Sequence, residues 1–341
     1  MGNSLSGKVV VVTGGTAGLG RAIVRAMAEE GAAVGIIARD RQRLEATRQE
    51  AQSLGGRAAA VSADVADARQ VESAADEIEH ALGPIDIWVN NAMTSVFAPV
   101  KEMMADEFRR VTEVTYLGFV YGTMAALKRM LPRNRGKIIQ VGSALAERSI
   151  PLQAAYCGAK HAIRGFTDSL RCELIHDGSR IELTMVQMPA MNTPQFGWVR
   201  SRLARKAQPV PPIYQPEVGA RAVVWAAKHH KRELYVGMPT VEAIVGNKLA
   251  PGLLDKYLAT SAYDGQQTDQ PEDANRPDNL YDPVAGPDIA AHGTFDNRSR
   301  SRSPELWLAT HKRLALAAAA LLAAATGAAI RRRRRPWRLA G

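Results

Sequence analysis

Along the first 240 residues, short runs of β-branched and apolar residues alternate with longer segments whose apolar positions recur every three or four residues. The runs at 8–12, 33–38, 57–62, 85–89, 137–143 and 180–188 have no polar alternation and therefore read as strands buried on both faces. Between them, positions such as Ile23, Val24, Met27 and Ala28 fall on one helical face, and helices are predicted at 41–54, 68–82, 106–130 and 153–175. Strands that alternate with helices specify a doubly wound parallel sheet with helices on both faces, a Rossmann-type α/β fold. The pattern lapses after residue 260. Residues 261–305 are rich in Asp, Pro, Gly and Asn without a period and read as a linker or surface arm, and 306–341 form an Ala-rich, basic extension to a 1–260 α/β domain.

In such folds ligands gather at the carboxyl ends of the strands, and the polar signals fall there. The first strand runs into Thr13-Gly14-Gly15-Thr16-Ala17-Gly18-Leu19-Gly20 and then a helix. Glycines let backbone approach a pyrophosphate, and the helix N-terminus adds free N–H groups and positive dipole. The second strand ends at Arg39, which favours a ribose 2′-phosphate and so NADP(H); Asp40 follows and would favour the free hydroxyl of NAD(H). Asp64-Val65 and Asn90-Asn91-Ala92-Met93 close two further strands.

The strand at 137–143 delivers Ser143, and the next helix carries Tyr156 and Lys160 on one face, four residues apart. A tyrosine that titrates near ~10 is a poor acid–base group at neutral pH, and a neighbouring ammonium favours its phenolate. Hydroxyl, phenol and ammonium together suit moving a proton on or off a carbonyl or alcohol oxygen.

These residues, in this order, resemble the short-chain dehydrogenase/reductase family over roughly residues 5–240. The resemblance implies an NAD(P)-dependent oxidoreductase that moves a hydride between nicotinamide and a secondary alcohol or ketone. It implies Ser143, Tyr156 and Lys160 as catalytic residues. It also implies Gly14, Thr16, Gly18, Leu19, Gly20, Arg39, Asp64, Val65, Asn91, Ala92, Pro189 and Thr193, with Tyr156 and Lys160, as cofactor contacts. Dimers or tetramers formed through the helices at 106–130 and 153–175 follow from the same resemblance. The chain departs from the family at three places: Met93 stands where Gly is usual, Thr115 where many members carry a proton-relay Asn, and Ala190 where Gly is common. A cofactor-binding scaffold or redox sensor at a membrane is the rival reading that Met93 and Thr115 support. Met93, Phe97, Met188, Met191 and the 191–199 segment either wall an apolar substrate or pack as core.

Hydrophobic content of 46% and charged content of 23% are those of a soluble globular chain. Cys157 and Cys172 have no metal-ligand spacing, so neither a metal site nor a disulfide framework is expected. No secretory leader precedes the first strand, and a cytoplasmic setting is expected. From residue 298 onward eleven Lys/Arg stand against Glu305 alone, so the formal charge of +10 belongs to the tail. Within it, 314–330 is an uncharged run of 17 residues with ten Ala, flanked by Lys312-Arg313 and Arg331 to Arg335. At ~1.5 Å per residue it reaches about 25 Å, short of a ~30 Å hydrocarbon core. A helix lying on or dipping into an anionic membrane is expected ahead of a span, and nucleic-acid binding is not expected, because no basic face accompanies the arginine run.

Overall fold

The computed structural model describes residues 4–273, 275–286 and 290–312. Strand β1 (Val9–Thr13) carries no exposed residue; Val10 and Val12 enter one apolar cluster while Val9 and Val11 enter another. That double burial is why the strand reads as an unbroken apolar run. Six more strands follow: β2 (Ala33–Ala38), β3 (Ala58–Ser62), β4 (Ile87–Asn90), β5 (Lys137–Ser143), β6 (Glu182–Met188) and β7 (Glu233–Tyr235). They form one seven-stranded sheet in the order β7-β6-β5-β4-β1-β2-β3, parallel throughout. The order reverses between β1 and β4, which opens a crevice at their carboxyl ends.

Helices α1 (Gly18–Glu29), α2 (Arg41–Ser53) and α3 (Ala68–Leu82) match the predicted periodicity. The predicted 106–130 helix is interrupted. Helix α4 (Ala105–Thr112) passes through a π-turn (Glu113–Leu117) into α5 (Gly118–Met130). One extra residue per turn is accommodated where the helix passes the cleft, a usual place for such bulges. Helix α6 (Ala154–His176) packs with α3 and α5 on one face of the sheet, and α7 (Pro216–Lys228) packs with α1 on the other.

Residues 238–265 fold as a helical hairpin, α8 (Met238–Leu249) and α9 (Pro251–Gly265), so the domain limit expected at 260 falls inside a helix. The low-complexity arm then returns along the body. Gln267–Pro271 pairs with Arg205–Ala207, and Ser299–Arg300 pairs with Ile213–Tyr214. Leu280, Ala291 and Leu306 are buried beneath it, the last on α10 (Pro304–Thr310). The Ala-rich 314–330 segment lies outside the described residues. Among those described, no helix is long and apolar enough to cross a membrane.

Candidate active site

The glycine turn is built by close approach. Gly14 has φ +65° and touches Ala92, where a Cβ would come within 2.8 Å of the Ala92 Cα; Gly18 has φ +55° and faces Thr193. Asn91 braces the turn: its Nδ2 donates to the carbonyls of Thr13 and Gly14 at 3.0 and 3.3 Å, and its N–H donates to the Thr13 hydroxyl at 3.0 Å. So Asn91 holds the loop with its amide. Helices α2 and α3 are capped by Asp40 and Asp67, but Ala17 leaves the first amides of α1 without a side-chain cap. Uncapped amides at the crevice are what an anionic group needs.

At the end of β2, Arg39 turns its guanidinium to the carbonyls of Tyr281 and, at 2.7 Å, Asn279. Burial pushes its pKa down, against the attraction of Asp64. Asp40 is committed elsewhere: it accepts from the Arg43 N–H at 3.0 Å and pairs with the Arg43 guanidinium at 3.2 Å. Asp64 accepts from Arg110 at 2.5 Å and from the Ala66 N–H at 3.0 Å.

Ser143 ends β5, and its Oγ accepts from the Leu145 N–H at 3.1 Å. Lys160 is buried on α6; its Nζ donates to the Val141 carbonyl at 2.8 Å and lies 5.5 Å from the centre of the Tyr156 ring. Burial alone pushes Lys160 down to about 7. Tyr156 behaves differently from the expectation that the ammonium would dominate it. Burial raises its pKa, and only the hydrogen bond from Ser143 acts in the other direction. Cys157, next to it, is buried with its thiol likewise pushed up, as befits a packing residue.

Thr115 sits in the π-turn and gives its hydroxyl to the Thr94 carbonyl at 2.8 Å while accepting from the Thr94 N–H at 3.0 Å. It therefore ties the helix to the strand-end loop. A buried network that sequence reasoning missed lies alongside: Asn90 Nδ2 donates to Thr123 at 3.0 Å and Gln140 at 2.9 Å, and Trp88 Nε1 donates to Asn90 at 2.8 Å. Only the coincidence of polar residues inside apolar runs could have signalled it.

Every residue expected at the site lines one cleft of about 600 Å³, including Pro189, Thr193, Thr16, Leu19 and Val65. Met93, Met188, Met191, Phe196 and Trp198 line it too, whereas Phe97 is buried with Leu152, Val199 and Leu203 as core. The walls that the sequence left unread are Leu145, Ile150, Val210 and the inner side of the hairpin, Leu254 and Leu258. Arg148 fastens that hairpin to the turn after Ser143, donating to Asn247 at 3.0 Å and to Asp255.

A parallel sheet with this glycine turn at its switch point defines the class of nucleotide-binding α/β enzymes. Comparison with known proteins narrows the class. The family described as short chain dehydrogenase matches residues 8–203, and the chain belongs to that family of NAD(P)-dependent oxidoreductases. The uncharacterized oxidoreductase YxnA of Bacillus subtilis is 33% identical over 88% of this chain and 84% of its own length. A 3-dehydrosphinganine reductase of Danio rerio is 34% identical over 56% of this chain and 59% of its own, so the chain spans less than two thirds of that relative. The crystal structure of an alcohol dehydrogenase from the archaeon Thermococcus sibiricus, complexed with 5-hydroxy-NADP, superposes with a TM-score of 0.58 at 27% identity. It covers 67% of this chain and 95% of that one.

Proposed function

We propose that the chain is an NADP(H)-preferring oxidoreductase that interconverts an apolar secondary alcohol and its ketone, with Tyr156 as the acid–base group. The observation that carries this reading is the convergence of Ser143, Tyr156 and Lys160 on the cleft that the glycine turn also lines. The residues fit a dinucleotide. Gly14, Gly18 and Gly20 make a cradle that a Cβ would fill, and the first amides of α1 carry no side-chain cap. Arg39 and Arg43 supply cations where a 2′-phosphate would sit, and Asp40 is engaged as a helix cap. The bound nicotinamide would supply the hydride chemistry.

The chain's own residues do the rest. Tyr156 gives a proton to the substrate oxygen in reduction and takes it back in oxidation. The Ser143 hydroxyl donates to the same oxygen, so that two donors meet the charge growing there in reduction. The Ser143 hydrogen bond offsets part of the rise that burial causes in the Tyr156 phenol, and the Val141 carbonyl holds Lys160 beside that ring. Leu145, Ile150, Phe196, Leu254 and Leu258 favour an apolar body on the substrate.

Two features support further attributes of this reading. Exposed Met124 on α5 and Ile175 on α6 lie on the two helices through which the family resemblance implies a homodimer or homotetramer. The Ala-rich run and the arginines at 331–335 support attachment of a cytoplasmic enzyme to an anionic membrane. Co-sedimentation with anionic vesicles, lost on truncation at residue 312, tests the attachment.

The central test is the Tyr156→Phe variant assayed with NADPH and a panel of apolar ketones. Turnover should fall by on the order of 10²–10⁴ while NADPH affinity, read by fluorescence titration, holds. Undiminished turnover would remove Tyr156 from the chemistry.

A further inference from the structure

The adenosine end of the cleft is not closed by the family domain alone. Arg39, Arg43 and Trp198 line it from the body, and Asn279, Pro283 and Val284 line it from the C-terminal arm, well beyond the matched residues 8–203. The arm meets the two arginines through its backbone. Arg39 donates to the carbonyls of Tyr281 and Asn279, the latter at 2.7 Å, and Arg43 donates to that of Val284 at 2.8 Å. Three carbonyls within six residues thus point at two guanidinium groups more than 230 positions away in sequence.

The contacts orient these groups without saturating them. A guanidinium has five N–H donors, and a free one gives up rotamer entropy when it is fixed. Arg43 is 5% exposed, paired to Asp40, and held at 5.2 Å from the Trp198 ring; its buried Nε has no hydrogen-bond partner among the described residues. A guanidinium already fixed in this way makes a charge-assisted contact with an anion at less entropic cost than a free one. Arg39 and Arg43 line the cleft together with Asn279, Pro283 and Val284 of the arm, so the arm walls the space beside the two arginines.

The arm is itself well anchored. Asp278 pairs with Arg200 at 2.8 Å and accepts from the Leu280 N–H at 3.0 Å. The Leu280 side chain is fully buried against Val96, Val111 and Ala155. Its carbonyl accepts from Arg110 at 3.1 Å, and Arg110 also holds Asp64.

We propose that residues 278–284 form the outer wall of the cofactor site and position Arg39 and Arg43 for the 2′-phosphate of NADP(H). The arm thereby becomes a determinant of cofactor specificity, and its residues are positioning residues that act through the two arginines. The proposal rests on the NADP(H) reading above.

The test compares full-length wild type with Leu280→Ser and with the milder Asp278→Ala, each checked by circular dichroism and thermal melting. Dissociation constants for NADPH and NADH are measured by fluorescence titration. Loosening the arm should weaken NADPH binding about tenfold in at least one folded variant, the equivalent of one charge-assisted hydrogen bond, and leave NADH binding within about twofold. Unchanged NADPH binding in both variants, tighter NADPH binding (an arm that competes with the phosphate), or equal loss for both cofactors would overturn it. A wild type that prefers NADH overturns the cofactor reading as well, whereas a wild type that prefers NADPH beside indifferent variants overturns the arm alone.

Discussion

Gly20 lies so close to Gly14 that a Cβ at position 20 would stand 2.0 Å from the Gly14 carbonyl oxygen and 2.6 Å from the Asn91 amide nitrogen. The first turn of α1 and the loop before it are therefore in backbone contact, with Asn91 wedged beside them. Ala is the better helix former by about 1 kcal/mol, yet the clash is with backbone that has nowhere to go. Gly20→Ala should separate the loop from the helix, lower NADPH affinity at least about tenfold by the usual conversion, and lower the melting temperature. An alanine variant that binds and melts like wild type would show that the loop has slack.

Asp40 offers the contrasting case. Its carboxylate caps α2 through the Arg43 N–H and pairs with the Arg43 side chain, so a role in reading a ribose hydroxyl would require it to leave both. Asp40→Ala should cost about 0.5–2 kcal/mol of stability in denaturant unfolding, the usual range for a lost cap. The ratio of NADPH to NADH affinity should stay in favour of NADPH. A selective loss of NADH binding would return Asp40 to the cofactor.

The inner face of the α8–α9 hairpin carries the third expectation. Leu254 and Leu258 line the cleft one turn apart on α9, while Leu253 on the same helix faces solvent. Leu254→Gln and Leu258→Gln should each raise KM for long apolar ketones by roughly 5- to 150-fold, the equivalent of about 1–3 kcal/mol of lost transfer energy per side chain, and leave NADPH affinity as it was. Leu253→Gln is the control. Equal effects from all three would mean that the hairpin matters for folding and not for substrate.

What was legible in the sequence was whatever is encoded locally. Val9 to Val12 must be a doubly covered strand because no residue there tolerates water, and Gly14 to Gly20 announce a turn because backbone must come close. Tyr156 and Lys160 share a helix face by spacing alone. The arm was opaque for the opposite reason. Its Asp, Asn and Pro residues have no period, and their fold is set by arginines at 39, 43 and 110 that donate to its carbonyls from far away in the chain. Phe97 shows the same limit at one residue: apolar and next to a strand end, it fits a substrate wall or a core equally well. Its contacts with Leu152, Val199 and Leu203 decide for core. The Tyr156 phenol depends on burial, which spacing does not report.

Lys160 gives a pH dependence whose direction follows from burial. The folded chain holds this ammonium at about 7 where the free group titrates at 10.5. Between those two pH values the unfolded chain binds a proton that the folded chain does not, so this residue makes stability rise with pH across that window. Below about 7 both states carry the proton and the full penalty for a buried charge applies; above 10.5 neither does. The span corresponds to a penalty on the order of 4–5 kcal/mol. Lys160→Met removes the titration but also strands the Val141 carbonyl, which Lys160 Nζ meets at 2.8 Å. That second loss is the same at every pH, so it displaces the stability curve without tilting it. Urea unfolding of wild type and Lys160→Met from pH 6 to pH 10 should therefore show the variant gaining least from rising pH, with the difference between the two curves changing steadily above about pH 7. Parallel curves would mean that Lys160 keeps its proton in the folded enzyme throughout, compensated by a partner that the Val141 carbonyl and the Tyr156 ring do not provide.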